Sequence, residues 1–145
     1  MEISRRKLLK TTLGAAGLLA STSVLARGIG AACGLTPPQT EGPFFPVIQQ
    51  ADEDNDLTQV AGRLSRAKGE TVLIQGTVYA AGGDCGPVEG AQIELWQACA
   101  SGRYNHPEDT NPAPLDPDFQ YWGRAVTDAQ GRYRFKTIIP GGYPA

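Results

Sequence analysis

The sequence has 145 residues, which is enough for one domain and leaves less once an N-terminal signal is set aside. It carries 13 basic and 15 acidic residues for a net charge of −2, and the acidic excess grows beyond residue 26. A mildly acidic chain without a basic stripe argues against nucleic acid or an anionic membrane surface as a partner.

The first 26 residues are typical of an export signal. Arg5 and Arg6 lie in a basic segment, and Thr11–Leu25 is an apolar, small-residue run too short to span a bilayer stably. Because SRRKLLK matches the twin-arginine pattern, we predict export to the periplasm or the extracellular space, with an ordinary secretory signal as the alternative. Cleavage is expected after Ala26. Lipidation of Cys33 stays open, and no stable membrane anchor is expected.

Residues 27–70 are predicted to form an extended arm and linker. The segment LTPPQTEGPFFP, Leu35–Pro46, is too rich in proline for a helix. Gln49–Ser65 follows as a polar linker. Its acidic run, Asp52–Asp56, lacks the glycine and glutamate that a calcium loop needs, so a solvated acidic turn is expected.

Residues 71–145 show the alternation of strands. Apolar and polar residues alternate in Thr71–Tyr79, Ala91–Gln97 and Arg132–Thr137, and each run is bounded by glycine or proline. Asp128–Gly131 is predicted to be the turn of a hairpin within VTDAQGRYRF. With 18 Gly and 11 Pro and no helical periodicity after the signal, the predicted fold is all-β, an antiparallel β-sandwich.

Three cysteines cannot all pair within one chain. Cys85 and Cys99 flank the second predicted strand and are the preferred disulfide, since an oxidising destination favours pairing. The alternative is two small, half-buried thiols.

Two tyrosines stand in turn-forming sequences rather than in strands. Tyr104 lies in SGRYNH, and Tyr143 follows 39 positions later in PGGYP. Together with the strand in GPVEGAQIELWQA and the hairpin TDAQGRYRFKT, these turns resemble the intradiol ring-cleavage dioxygenases, the catechol and protocatechuate enzymes. The resemblance covers Thr36–Pro144.

The resemblance implies a ferric iron cofactor, Fe(III), with Tyr104 and Tyr143 as ligands. A pair of phenolates is a hard, anionic donor set that favours ferric over ferrous iron. Tyr143 matches the ligand that substrate displaces, which makes it the catalytic tyrosine. The implied reaction opens a catechol-type ring with O2 between its two hydroxyl-bearing carbons, giving a diacid.

Two histidine ligands complete the iron site in the family, and they follow the second tyrosine in an H-x-H strand. The only histidine here, His106, precedes that position and is not a ligand by the family pattern. The sandwich is therefore expected to be incomplete at its C-terminal end, and the 145-residue chain alone is expected to bind iron poorly.

The proline-rich arm matches a family segment that lines the substrate pocket, which implies substrate contacts for Thr40, Gly42 and Pro43. A strap that merely covers a sheet edge is an equal alternative. Around the Tyr104 turn, charged side chains are expected to face water: Arg103, Asp109 and Asp116.

The sequence allows three other interpretations. The strand pattern also resembles transthyretin-like and carboxypeptidase-regulatory-like modules, which bind without catalysing, although these do not account for the two tyrosine turns. A partner subunit without metal ligands and a homo-oligomer are further alternatives. The sequence does not separate catechol, protocatechuate and hydroxyquinol as substrates.

Overall fold

Four strands make up the regular structure of the computed structural model, which describes residues 34–142. They are β1 (Thr71–Thr77), β2 (Gln92–Trp96), β3 (Trp122–Val126) and β4 (Arg132–Ile138). β1 pairs antiparallel with β4, and β2 pairs antiparallel with β3. The predicted all-β, antiparallel sandwich class is therefore confirmed. The signal segment, Cys33 and Tyr143 lie outside the described residues.

The core of the sandwich lies between the two strand pairs. On β4, Phe135 is 1% exposed while the neighbouring Arg134 faces solvent, as the alternation predicts. Aromatic and aliphatic side chains from strands and loops complete this core: Leu57, Cys99, Phe119, Tyr121, Ala125 and Ile138. Within residues 34–142, no helix offers the length and apolar character needed to cross a membrane.

The predicted turn at Asp128–Gly131 is present, but the strands beside it do not form a hairpin. Gly131 donates to the Asp128 carbonyl at 2.7 Å with a φ of 71°, as expected for this turn. The strands then diverge, because Thr127 is bonded to Ala91 while the Val78 N–H donates to the Gly131 carbonyl. The chain crosses from one sheet to the other at this turn, so the predicted hairpin pairing is wrong.

The acidic segment predicted as a solvated linker is part of the sandwich. Leu57 is fully buried, and its N–H donates to the carbonyl of Lys136 at 2.8 Å. Lys136 in turn donates its N–H to the carbonyl of Asn55 at 2.8 Å, so this segment runs parallel to β4 along the edge that β1 leaves open. Residues 55–57 thus lie along the edge of β4, so the expectation of a polar linker outside the sandwich is wrong at Leu57, whereas Asp54 and Asn55 are exposed as predicted for the acidic turn.

Asp56 connects this segment to β4 through its side chain. Its carboxylate accepts hydrogen bonds from the Thr58 hydroxyl and backbone N–H, and from Lys136 Nζ at 3.0 Å. Burial by itself raises the pKa of the Asp56 carboxyl. The hydrogen bonds from Thr58 and Lys136 outweigh burial and hold the pKa below its ordinary value of 3.8.

This arrangement makes stability depend on acid pH. A carboxyl group whose folded-state pKa is depressed stabilises the fold above its unfolded pKa, and that contribution is lost as pH falls through the folded pKa. We expect Asp56→Asn to destabilise the protein at pH 7 and to cost less below pH 3.8. Urea unfolding of both proteins at several pH values checks this. An unchanged difference between them at low pH would contradict it.

Candidate active site at the tyrosine turns

The turn that carries Tyr104 is held by backbone hydrogen bonds and by one carboxylate. Gly102 donates to the Cys99 carbonyl at 2.9 Å, and Cys99 donates to the Arg103 carbonyl at 2.9 Å. The N–H of Tyr104 donates to Asp109 Oδ2 at 2.6 Å. Tyr104 is half-buried, and its backbone position is therefore fixed from both sides.

The charged residues near this turn do not simply face water. Asp109 also accepts from the Asn111 N–H, and Arg103 donates to the Ala113 carbonyl at 2.8 Å. Asp116 is 5% exposed and accepts from the backbone of Lys68 at 2.7 Å. The expectation that these groups are solvated is wrong, because each one satisfies loop N–H or C=O groups that have no strand partner.

The Gly-rich turn that leads to Tyr143 lies directly against the Tyr104 turn. Gly141 donates its N–H to the carbonyl of Cys99 at 3.0 Å. Gly102 and Gly142 approach so closely that a Cβ added to Gly102 would lie 2.1 Å from the Gly142 oxygen. The two turns that the sequence separates by almost 40 residues are therefore neighbours. Tyr143 itself lies outside the described residues.

The N-terminal arm passes beside Tyr104. The Phe44 ring lies 4.9 Å from the Tyr104 ring, and the Phe45 ring lies 5.1 Å from Trp96. Gln50 anchors the far end of the arm, because its amide bonds to the backbone of neighbouring core residues. A shallow aromatic cleft results, and its lining includes Phe44, Pro46, Ile48, Trp96, Tyr104 and Trp122.

The three arm residues predicted to contact substrate are exposed in this structure. Thr40, Gly42 and Pro43 precede Phe44 directly, and Gly42 has a φ of 79°. Their position next to Phe44 places them on the Tyr104 side of the sandwich. Substrate contact by these residues remains a prediction. Sequence reasoning missed Phe44 and Gln50, although Phe44 adjoins the predicted residues and is an aromatic residue in a proline-rich strap.

Among the described residues near the two turns, Tyr104 is the side chain that suits ferric iron. Residues 34–142 contain no group of three or more His, Cys, Asp or Glu side chains that could hold a metal ion. His106 is engaged locally, since its Nδ1 accepts from the Glu108 N–H and its ring lies 5.5 Å from Phe44. Metal binding here would depend on tyrosine oxygens, and half-buried Tyr104 fits a phenolate ligand to Fe(III).

Tyr121, unlike Tyr104, is a buried core residue. It is 8% exposed, and its hydroxyl accepts from the Asp116 N–H at 2.7 Å. Burial and a hydrogen bond with Cys99 raise the pKa of the Tyr121 hydroxyl well above its ordinary value. Tyr121 therefore stays a neutral phenol in the core, which is unsuited to an anionic ligand role.

The predicted disulfide between Cys85 and Cys99 is wrong. Cys85 forms a disulfide, but Cys99 is a free, buried thiol that is 1% exposed. The Cys99 side chain points into the core, where its Sγ lies 3.1 Å from Ser101 Oγ. Cys85 instead lies in a loop, with a positive φ of 56°. Flanking the same strand therefore does not bring the two sulfurs together.

Comparison with known proteins defines the class. The model of a dioxygenase family, Dioxygenase_C, matches residues 40–145. The chain is 50% identical over 102 residues to the protocatechuate 3,4-dioxygenase beta chain of Burkholderia cepacia, covering 70% of this chain and 43% of that protein. It is 32% identical over 108 residues to catechol 1,2-dioxygenase of Acinetobacter baylyi, covering 74% of this chain and 32% of that protein.

Solved structures agree with these relatives. The intradiol ring-cleavage dioxygenase of Tetranychus urticae superposes with a TM-score of 0.57 at 26% identity, covering 77% of this chain and 54% of that one. Catechol 1,2-dioxygenase of Pseudomonas arvilla C-1 gives 0.54 at 28%, covering 83% and 36%. The chain belongs to the intradiol dioxygenase family. It spans less than half the length of the two curated relatives described above.

Proposed function

We propose that the protein is a ferric, non-haem intradiol dioxygenase that cleaves a catechol-type aromatic diol with O2. The observation that carries the proposal is the contact between the two tyrosine turns, in which Gly141 donates to the Cys99 carbonyl at 3.0 Å. Family membership supports the reaction class. The relatives are named for protocatechuate and catechol, so the substrate class is a small aromatic diol.

In this proposal the chain contributes ligands, shape and exclusion of water. Tyr104 and Tyr143 would supply phenolate oxygens to Fe(III), and Tyr143 would be the ligand that gives way to substrate. Fe(III), when bound, would act as a Lewis acid and template for the diol. The Phe44 ring lies 4.9 Å from the Tyr104 ring and would help to shield that side of the site from water. Thr40, Gly42 and Pro43 would line the diol pocket from the arm.

Export is part of the proposal. Arg5 and Arg6 support a twin-arginine route to the periplasm or the extracellular space. The disulfide at Cys85 supports an oxidising destination independently of the signal, because disulfides are rare in reducing compartments. The binding-module alternative is not favoured, since the named relatives are dioxygenases. Assembly into a homo-oligomer is compatible with this function.

Replacement of Tyr104 tests the function. The experiment uses the full-length protein loaded with Fe(III). In it we expect Tyr104→Phe to abolish the visible absorption that arises from charge transfer between the Tyr104 phenolate and the iron. Ring cleavage should fall by more than about a hundred-fold, because loss of even an outer partner of a metal typically costs 10 to 100-fold. Oxygen uptake and appearance of the diacid measure the rate.

Tyr79→Phe is the matched control, since Tyr79 is 48% exposed and lies two residues after β1, in an isolated bridge to Pro87. It should leave the absorption and the rate unchanged. Wild-type absorption and activity in Tyr104→Phe would refute the ligand assignment. A wild-type protein that takes up no Fe(III) and opens no diol would refute the function.

A further inference from the structure

Gln97 is a buried polar residue that links the two sheets. Its backbone bonds beside β3, and its side chain bonds to β4. It directly follows β2, and its backbone N–H donates to the Tyr121 carbonyl at 3.1 Å, beside β3. Its side chain, in contrast, reaches β4. There Nε2 donates to the Ile138 carbonyl at 3.0 Å, and Oε1 accepts from Thr137 Oγ1 at 2.9 Å.

Both members of this pair are sealed from water. Gln97 is 7% exposed and Thr137 is fully buried. Gln97 Nε2 also donates to the Ala98 carbonyl at 3.2 Å, so both ends of the amide are satisfied. Hydrogen bonds in such a low-dielectric setting are strong, and removal of one partner leaves the other as a buried, unpaired polar group. The pair therefore resists sliding between the two sheets.

The Gln97–Thr137 pair also lies next to both tyrosine turns in the chain. Two residues after Gln97 comes Cys99, which opens the Tyr104 turn, and three residues after Ile138 comes Gly141, which bonds back to Cys99. Gln97 and Thr137 thus lie at the root of both turns. Any shift between the sheets at this point would be passed to the contact between Gly141 and Cys99.

We propose that the Gln97–Thr137 pair is a positioning device for the iron site, because it fixes the distance between the Tyr104 turn and the turn that leads to Tyr143. The inference rests on the proposed function. Neither residue supplies a ligand or touches substrate; both act through the turns they hold.

Thr137→Val tests the proposal, and Thr127→Val is its matched control. Thr127 is also a buried threonine, 4% exposed, but lies away from the tyrosine turns. Its hydroxyl donates to the Val88 carbonyl at 2.7 Å and accepts from the Ala91 N–H at 2.8 Å. The control therefore loses at least as many hydrogen bonds as Thr137→Val. Thr137→Ser keeps the hydroxyl and should restore wild-type behaviour.

The first readout is amide hydrogen exchange at Gly141 and Gly102, which needs no iron. We expect exchange at both to speed up about five- to ten-fold in Thr137→Val, the effect of losing about one net hydrogen bond, and to stay unchanged in Thr127→Val. The second readout is the Fe(III)-loaded protein. There kcat should fall by as much as about a hundred-fold with KM for the diol little changed, and the tyrosinate absorption should shift.

Equal effects of Thr137→Val and Thr127→Val on both readouts would overturn the proposal and leave only a contribution to stability. So would failure of Thr137→Ser to restore the wild-type values. If the wild-type protein takes up no Fe(III), the proposed function fails, while the hold of the Gln97–Thr137 pair on the two turns is still judged by the exchange data. The exchange data distinguish the two cases, because they report the hold on the turns whether or not iron binds.

Discussion

Gly102→Ala is expected to destabilise the protein by about 2–5 kcal/mol. Gly102 has a φ of +81°, a left-handed conformation that costs an alanine about 1–2 kcal/mol. The added Cβ would also lie 2.1 Å from the carbonyl oxygen of Gly142. Forcing such contacts apart typically costs about 1–3 kcal/mol more. Urea unfolding at pH 7 measures the sum.

Gly62→Ala separates the two contributions. Gly62 has a φ of +80°, but a Cβ at this position would have no atom within 4 Å. This variant should therefore show only the conformational cost of about 1–2 kcal/mol. If the two variants lose equal stability, Gly102 and Gly142 do not lie in the close contact that makes a Cβ at Gly102 clash.

Leu57→Ala is expected to cost about 2–5 kcal/mol, the usual range for removing a fully buried leucine side chain. Leu57 packs in the central cluster with Phe119 and Phe135, so truncation leaves a cavity next to β4. Thermal or urea unfolding measures the loss, and the slope of the urea transition should stay the same if the folded state is unchanged.

Leu64→Ala is the control for Leu57→Ala, because the same atoms are deleted from a fully exposed side chain seven residues later. Its effect should lie within about 0.5 kcal/mol of zero. A small effect at Leu57 would mean that residues 55–57 do not belong to the folded core.

The strands could be predicted from sequence because each one carries a local signal. β1, β2 and β4 appear within a residue or two of their predicted bounds, since alternation is a property of neighbouring residues. Their partners are not a local property. The Asp128–Gly131 turn occurs in the expected place, yet β3 and β4 pair with other strands because Thr127 and Gly131 bond across to residues near 78 and 91.

The environments of Leu57 and Cys99 also could not be predicted from the neighbouring sequence. Leu57 is an apolar residue in an acidic stretch without periodicity, so nothing nearby indicates that it fills the core. Cys99 flanks the same strand as Cys85, but its direction depends on packing against the core. Gln97 likewise continues an alternating strand, and its bonds to Thr137 depend on how the two sheets meet.

The candidate site was predicted from combined motifs rather than from any one residue. A lone tyrosine in a turn is seldom a ligand, and the turns around Tyr104 and Tyr143 gained meaning only from their order and spacing. The structure adds the proximity of the two turns, which the sequence could not give. It also adds Phe44 and Asp109, which fix the surroundings of Tyr104.

The pairing of β4 with β1 and with residues 55–57 has a consequence for biosynthesis. Asp56 and Lys136 are 80 positions apart, so these contacts close a long loop and raise the contact order of the fold. The first sheet cannot form until β4 has left the ribosome. Until then Leu57 lacks Phe135 and Ile138, the β4 side chains of its buried cluster, and transiently exposed apolar surface of this kind favours aggregation.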